Sequence, residues 1–220
     1  MKIKETSVTE RLSATREHFR NNVIPSDALA LMDAETESLN RANFIAMALG
    51  VGDAVPDFIL PNQHGKPVRL NDLLDLGAVI ITFYRGGWCP YCNIALRGLQ
   101  RYLADFDAAN AKLVAISPQL PDQSLSTAEK NDLDFEVLSD VGNIVAARFG
   151  IVHEVSAELG ALYESFGHGL KQVNGAEGSK SLPLPATFVV GKDRLIRLAF
   201  VDVDYTKRLD PEDALRALQS

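Results

Sequence analysis

Apolar positions change period several times along this chain, and each change marks an element. Over residues 8–23, Val8, Leu12, Phe19 and Val23 make one apolar stripe among charged neighbours, the spacing of an amphipathic helix. Pro25-Ser26-Asp27 stops it and caps a second helix, lined by Leu31, Leu39, Ile45 and Leu49 and ending at Gly50. From Val51 the texture turns to strands. Asp57–Leu60, the turn Asn62–Lys66 and Val68-Arg69-Leu70 predict a β-hairpin. Ala78-Val79-Ile80-Ile81-Thr82 reads as a strand, and Leu96, Leu99, Leu103 and Phe106 place a helix after it. Lys112–Ser117 and Phe135–Leu138 predict strands, with a short helix over Ser124–Asn131 between them and another over Gly142–Phe149, closed by Gly150. Val155, Leu159, Leu162 and Phe166 line a further helix, and residues 171–181 read as a surface loop. Two strands, Thr187–Val190 and Leu195–Phe200, flank the turn Gly191-Lys192-Asp193. The last helix opens at Asp210-Pro211-Glu212-Asp213, a capping residue, a first-turn proline and two acids.

Strands alternating with helices, then a hairpin and a closing helix, predict an α/β fold with a mixed central sheet covered on both faces. Residues 1–50 read as a helical arm, suited to packing or to pairing two copies as a homodimer. Residues 51–220 form the main domain, with a helix-loop insertion at 151–182. The formal charge of −7 over 220 residues argues against a nucleic-acid surface, which needs clustered Lys and Arg. No apolar run reaches membrane-spanning length. The charged start Met1-Lys2-Ile3-Lys4-Glu5 lacks a secretory core, so the expectation is a cytoplasmic protein working in a reducing compartment.

Cys89 and Cys92 change the picture most. They are the only cysteines, in Phe83-Tyr84-Arg85-Gly86-Gly87-Trp88-Cys89-Pro90-Tyr91-Cys92, where a strand ends and a helix begins. Pro90 fits the first helical position. Cys89 at the helix end meets unpaired backbone N–H groups and the positive dipole end, so it is expected to ionise more readily than a free thiol. Cys92, one turn inside, can close a short disulfide ring with it. Zinc needs four ligands and this pair supplies two, while His18, His64, His153 and His168 have no paired spacing. No metal and no cofactor is expected; the pair predicts two-electron thiol chemistry.

On these residues, 51–202 resemble the thioredoxin fold, and specifically the alkyl hydroperoxide reductase / thiol-specific antioxidant (peroxiredoxin-like) family. Three segments carry the resemblance beside the Cys-Pro-Tyr-Cys motif: Val51-Gly52-Asp53-Ala54-Val55-Pro56-Asp57-Phe58, Phe135–Asp140 continuing to Ala146–Gly150, and Leu184-Pro185-Ala186-Thr187-Phe188-Val189-Val190. The resemblance implies a nucleophilic Cys89, a resolving Cys92, and a cis Leu184–Pro185 bond facing the cysteines. It also marks two departures. Gly86 stands where the family has a threonine, and Pro185-Ala186 where it has a thiolate-supporting arginine.

The implied function is a thiol-dependent peroxidase. Cys89 is oxidised by hydrogen peroxide or an organic hydroperoxide to a sulfenic acid, which Cys92 converts to a disulfide. Thioredoxin, glutaredoxin or a small thiol then reduces it. A thioredoxin-like protein disulfide reductase and a non-enzymatic redox sensor are the alternatives. Arg85 is expected to support the thiolate or a peroxide oxygen, Trp88 to shield Cys89, Tyr91 to bond substrate, and Gly86-Gly87 to turn tightly beside it. His153 reads as a surface histidine, and Asp202, Asp204, Tyr205 and Arg208 as a structural polar cluster.

Overall fold

The computed structural model describes residues 6–219. Helix α1 (Val8–Asn22) starts on a capping box in which Ser7 and Glu10 bond each other's backbone. Helix α2 (Ser26–Arg41) follows Pro25. It is shorter than its stripe predicts: Asn43 is left-handed, with φ of 49°, and Ile45 falls in a separate 3-10 turn, Phe44–Met47.

The main domain begins with the expected hairpin, β1 (Ile59–Pro61) against β2 (Pro67–Arg69). It continues through α3 (Leu70–Leu76), β3 (Ala78–Phe83), α4 (Pro90–Arg101) and α5 (Leu103–Ala108). The single helix expected over Leu96–Phe106 is thus two, broken at Tyr102. Next come β4 (Ala111–Ser117), α6 (Pro121–Asn131), β5 (Glu136–Ser139) and α7 (Ile144–Arg148). They are followed by β6 (Val152–Glu154), α8 (Ala157–Ser165), α9 (Leu170–Asn174) and β7 (Ser181–Pro183). Residues 171–181 are therefore no plain loop: most of α9 lies there, with Asn174 buried, and β7 starts at its end. Strands β8 (Ala186–Val190) and β9 (Ile196–Val201) and helix α10 (Pro211–Leu218) complete the chain.

The central sheet runs β5-β4-β3-β8-β9. Strands β3, β4 and β5 are parallel, and β8 and β9 return antiparallel, with Thr82 opposite Thr187 and Phe83 opposite Ala186. The mixed sheet is as the alternation predicts. Strand β3 lies at its centre, and Val79, Ile80, Ile81 and Phe83 are fully buried, as a strand covered on both faces requires. Ile81 and Phe83 pack on one side with Leu70, Phe149 and Phe188. Ile80 packs on the other with Leu96, Leu99 and Phe106, joined by Val8 and Leu12 of α1. The arm is thus part of the core that backs α4. Its α2 adds Met32 to a third cluster with Leu159, Tyr163, Leu170 and Leu182.

Candidate active site

The end of β3 delivers Tyr84 and Arg85 to a tight loop before α4. At Gly86 the backbone has φ of 152°, and a Cβ there would lie 2.3 Å from Trp88 Nε1, so the position accepts only glycine. Gly87 is tied down from both sides. Its N–H donates to Gln119 Oε1 at 2.8 Å, and its carbonyl accepts from Asn93 Nδ2 at 2.9 Å. Asn131 Nδ2 in turn donates to Asn93 Oδ1 at 3.0 Å. All three amide side chains are buried, and a buried polar network with its bonds made fixes one conformation. The loop that presents the cysteines is therefore held by α4, α6 and the end of β4, through residues that carry no local motif.

Cys89 occupies the N-cap of α4 in an extended conformation, with Pro90 at the first turn. Both cysteines are free and buried, Cys89 1% exposed and Cys92 not at all. Their surroundings reverse the expected order of acidity. Burial pushes the Cys89 thiol well up, and Cys92 beside it adds to the rise. Burial would raise Cys92 too, but the bond from Cys89, the charges of Arg208 and Arg85, and the Arg85 backbone N–H hold it well below the usual thiol range. The helix end that favours Cys89 as an anion loses here to desolvation and to the direct donors on Cys92.

Arg85 is 4% exposed, and it is no loop arginine in solvent. Its guanidinium lies 4.8 Å from the centre of the Trp88 ring, 5.2 Å from that of Tyr163 and 4.7 Å from that of Tyr205, and it donates to Tyr163 Oη. Three ring faces replace the lost hydration of the cation. Burial would lower its pKa, yet Tyr163 and the two sulfurs keep it above the ordinary arginine value. Arg208 is 7% exposed and donates through Nη2 to Cys92 Sγ at 3.0 Å. The two acids of the polar cluster are in ion pairs: Lys207 pairs with Asp202 at 3.1 Å, and Arg16 of the arm with Asp204 at 3.1 Å. Tyr205 and Arg208 instead turn to Arg85 and Cys92.

Cys89 borders a cavity of about 270 Å³. One wall is the motif itself, with Trp88, Pro90 and Tyr91, and the arm supplies another through Phe19, Val23, Ile24 and Met32. Tyr163, Phe166 and His168 close it, His168 stacking on Trp88 at 5.7 Å. Trp88 lines the chamber beside Cys89. Burial pushes the Tyr91 phenol up to about 12, so it enters this chamber as a neutral hydroxyl. His153 is half-buried, not on the open surface: burial lowers it to about 4, and it borders a second, small cavity with Arg85, Leu184 and Pro185.

Pro185 does not face the cysteines through a cis bond. Every described peptide bond is trans, Leu184–Pro185 included. Leu184 N–H bonds Ile151 O at 2.7 Å, and Ala186 already pairs with Phe83, so the chain passes extended from β7 into β8. Arg208, Tyr163, Tyr205 and His168 were not singled out as site residues in the sequence. Each lies far along the chain from the motif, and no spacing signals them.

Among the described residues no group of His, Cys, Asp and Glu is placed to hold a metal ion, and no helix is long and apolar enough to cross a membrane. The sequence profile of the AhpC/TSA family matches residues 51–199. The "Putative peroxiredoxin bcp" of Buchnera aphidicola is 35% identical over 100 residues, 46% of this chain and 63% of that protein, just under two thirds of its length. The "Peroxiredoxin Bcp" of Escherichia coli K12 is 32% identical over 130 residues, 59% of this chain and 81% of that one. Among solved structures, peroxidoxin BcpB from Mycobacterium tuberculosis superposes with a TM-score of 0.61 at 27% identity, covering 78% of this chain and 97% of that one. The fold is thioredoxin-like, as such relatives require.

Proposed function

This chain belongs to the AhpC/TSA family, and we propose that it is a thiol-dependent peroxidase, an oxidoreductase whose working groups are Cys89 and Cys92. The carrying observation is a buried pair of free cysteines set against two buried arginines at the edge of an apolar chamber. A thiolate attacks the O–O bond, and the sulfur so oxidised becomes a sulfenic acid. The neighbouring sulfur, one helical turn away, condenses with it to a Cys89–Cys92 disulfide. Peroxide is held by Arg85 and by the backbone N–H groups that begin α4. The deep burial of the pair favours a small peroxide over a protein disulfide as oxidant.

A thiol reductant recycles the disulfide, and thioredoxin, glutaredoxin or a small thiol fits that role. The arm, residues 1–50, is an addition packed onto the domain of residues 51–220, and its exposed Val23, Ile45 and Met47 suit a homodimer. The cytoplasm is the compartment where such a pair cycles.

The test is stopped-flow consumption of a hydroperoxide by the reduced protein, run beside insulin reduction. Fast, stoichiometric loss of peroxide with little insulin reduction is expected. Consumption no faster than by a free thiol, with ready insulin reduction, would replace this reading by the protein disulfide reductase.

A further inference from the structure

We infer that Arg208 serves the reductive half of the cycle: it holds Cys92 as the leaving thiolate when a thiol reduces the Cys89–Cys92 disulfide, and so makes that disulfide more oxidising. The inference rests on the disulfide of the peroxidase reading and adds to it a residue and a direction of thiol exchange.

Three observations carry it. Arg208 Nη2 lies 3.0 Å from Cys92 Sγ. Arg208 is 7% exposed, and among the described residues it pairs with no carboxylate: the acids of its own segment, Asp202 and Asp204, are held by Lys207 and Arg16. A guanidinium out of water needs a counter-charge, and the group in front of it is the sulfur. The second observation is how the guanidinium is held. Nη1 donates to the carbonyls of Tyr205 and Lys207, so the segment between β9 and α10 fixes it with Nη2 turned to Cys92. The third is unequal access to the two sulfurs. Cys89 borders the chamber, whereas Cys92 has no exposed surface. A thiol that enters through the chamber meets Cys89 Sγ, and the sulfur it displaces is the one in front of Arg208. Arg208 stands outside residues 51–199, the part that the family profile matches.

A disulfide sulfur is uncharged and accepts a hydrogen bond weakly, whereas a thiolate accepts a charge-assisted one. The bond from Arg208 therefore strengthens as charge builds on Cys92, and it stabilises the transition state and the dithiol product more than the disulfide. The step balances. The reductant's thiolate forms an S–S bond to Cys89 Sγ, the Cys89–Cys92 bond breaks, and its electron pair passes to Cys92 Sγ beside Arg208. A second thiolate of the reductant attacks the reductant's own sulfur in this mixed disulfide, and Cys89 leaves with the electron pair and takes a proton from water. The reductant loses two electrons and becomes a disulfide; the protein disulfide gains them.

Reduction potentials of wild type, R208M and R208K are measured at pH 7 by equilibration with reduced and oxidised glutathione, and the oxidised proteins are mixed with dithiothreitol in stopped flow. R208M is expected to shift the equilibrium toward the disulfide about 10- to 100-fold, the scale of one charge-assisted hydrogen bond, which is a potential lower by about 30 to 60 mV for a two-electron couple. Reduction by dithiothreitol should slow about 10-fold, because a thiol of higher pKa leaves more slowly. R208K keeps the charge and should recover part of both. A folded R208M with the wild-type potential gives Arg208 a structural role and overturns the inference. Should R208M not fold, urea unfolding of the wild type decides. The reduced form is expected to be the more stable, since only a thiolate answers the charge of Arg208, and an oxidised form at least as stable overturns the inference. No peroxide enters these measurements, so their failure leaves the peroxidase reading standing, whereas slow loss of peroxide with the reduced wild type removes that reading alone.

Discussion

Tyr205 and Met32 meet across the chamber that Cys89 borders, Tyr205 Oη donating to Met32 Sδ at 3.7 Å. One comes from the segment before the last helix and the other from the arm. The same tyrosine lays its ring on the Arg85 guanidinium. Arm, cation cage and dithiol are therefore one packed unit, and Tyr205 is one side chain that links the arm to the cation beside the sulfurs.

Phe19 forms part of the arm's wall of the chamber and packs on Tyr91, ring centres 6.1 Å apart. Phe19→Ala removes apolar surface that an organic hydroperoxide would cover. The KM for cumene hydroperoxide should rise about 10-fold, the loss of roughly half of a buried aromatic side chain's transfer energy, while hydrogen peroxide kinetics stay near wild type. Steady-state kinetics with both substrates check this; equal changes for the two would show that the wall does not hold substrate.

Helix α1 docks on α4 where Gly98 leaves room for Val8, and a Cβ at Gly98 would lie 2.3 Å from Val8 Cγ2. Gly98→Val should lever the arm away without touching the dithiol. The expected signs are faster limited proteolysis near residues 22–25 and faster labelling of Cys89 by a bulky maleimide, about 10-fold or more for a clash that costs 1–3 kcal/mol.

Arg85 is caged by three rings, so Arg85→Ala leaves both a hole and a dithiol short of one of its two cations. The second-order rate with peroxide should fall about 10- to 100-fold, the scale of a lost charge-assisted bond. Arg85→Lys should recover little, because an ammonium cannot lie flat between Trp88, Tyr163 and Tyr205 as a guanidinium does. Comparing kcat/KM of the two variants with one hydroperoxide decides it.

His153 gives a pH dependence of stability. Burial lowers it in the folded state to about 4, against about 6.5 when unfolded. Between these values the unfolded chain binds more protons than the folded one, so stability falls as pH drops through this window and is full above pH 6.5. The difference is worth about 3 kcal/mol at most. Urea unfolding from pH 7 to pH 4 should show that loss, and His153→Gln should flatten it.

What the sequence displays is whatever is fixed locally. Pro90 at the first turn of α4, Asp210 capping α10 and the four apolar residues of β3 act within one or two turns, and their pattern is readable. Arg208 touches Cys92 across 116 positions, and Gln119 and Asn131 hold the Gly87 loop from other elements. No period or motif encodes such long-range contacts. The left-handed Asn43 that ends α2 early is a local signal, because asparagine tolerates that conformation and often stops a helix, but the apolar stripe that continues to Leu49 masks it. The acidity order failed for a related reason. A helix end is a local feature, whereas desolvation and a distant guanidinium are properties of the folded molecule.

The 1% exposure of Cys89 divides the catalytic cycle by the size of its visitors. A peroxide is small enough for the chamber of about 270 Å³. A protein dithiol must bring its own sulfur into line with the disulfide, and Phe19, Val23 and Met32 of the arm line the space beside Cys89. The ratio of small-thiol to protein-dithiol reduction rates of the oxidised protein therefore measures how far those walls keep a large visitor from the sulfurs.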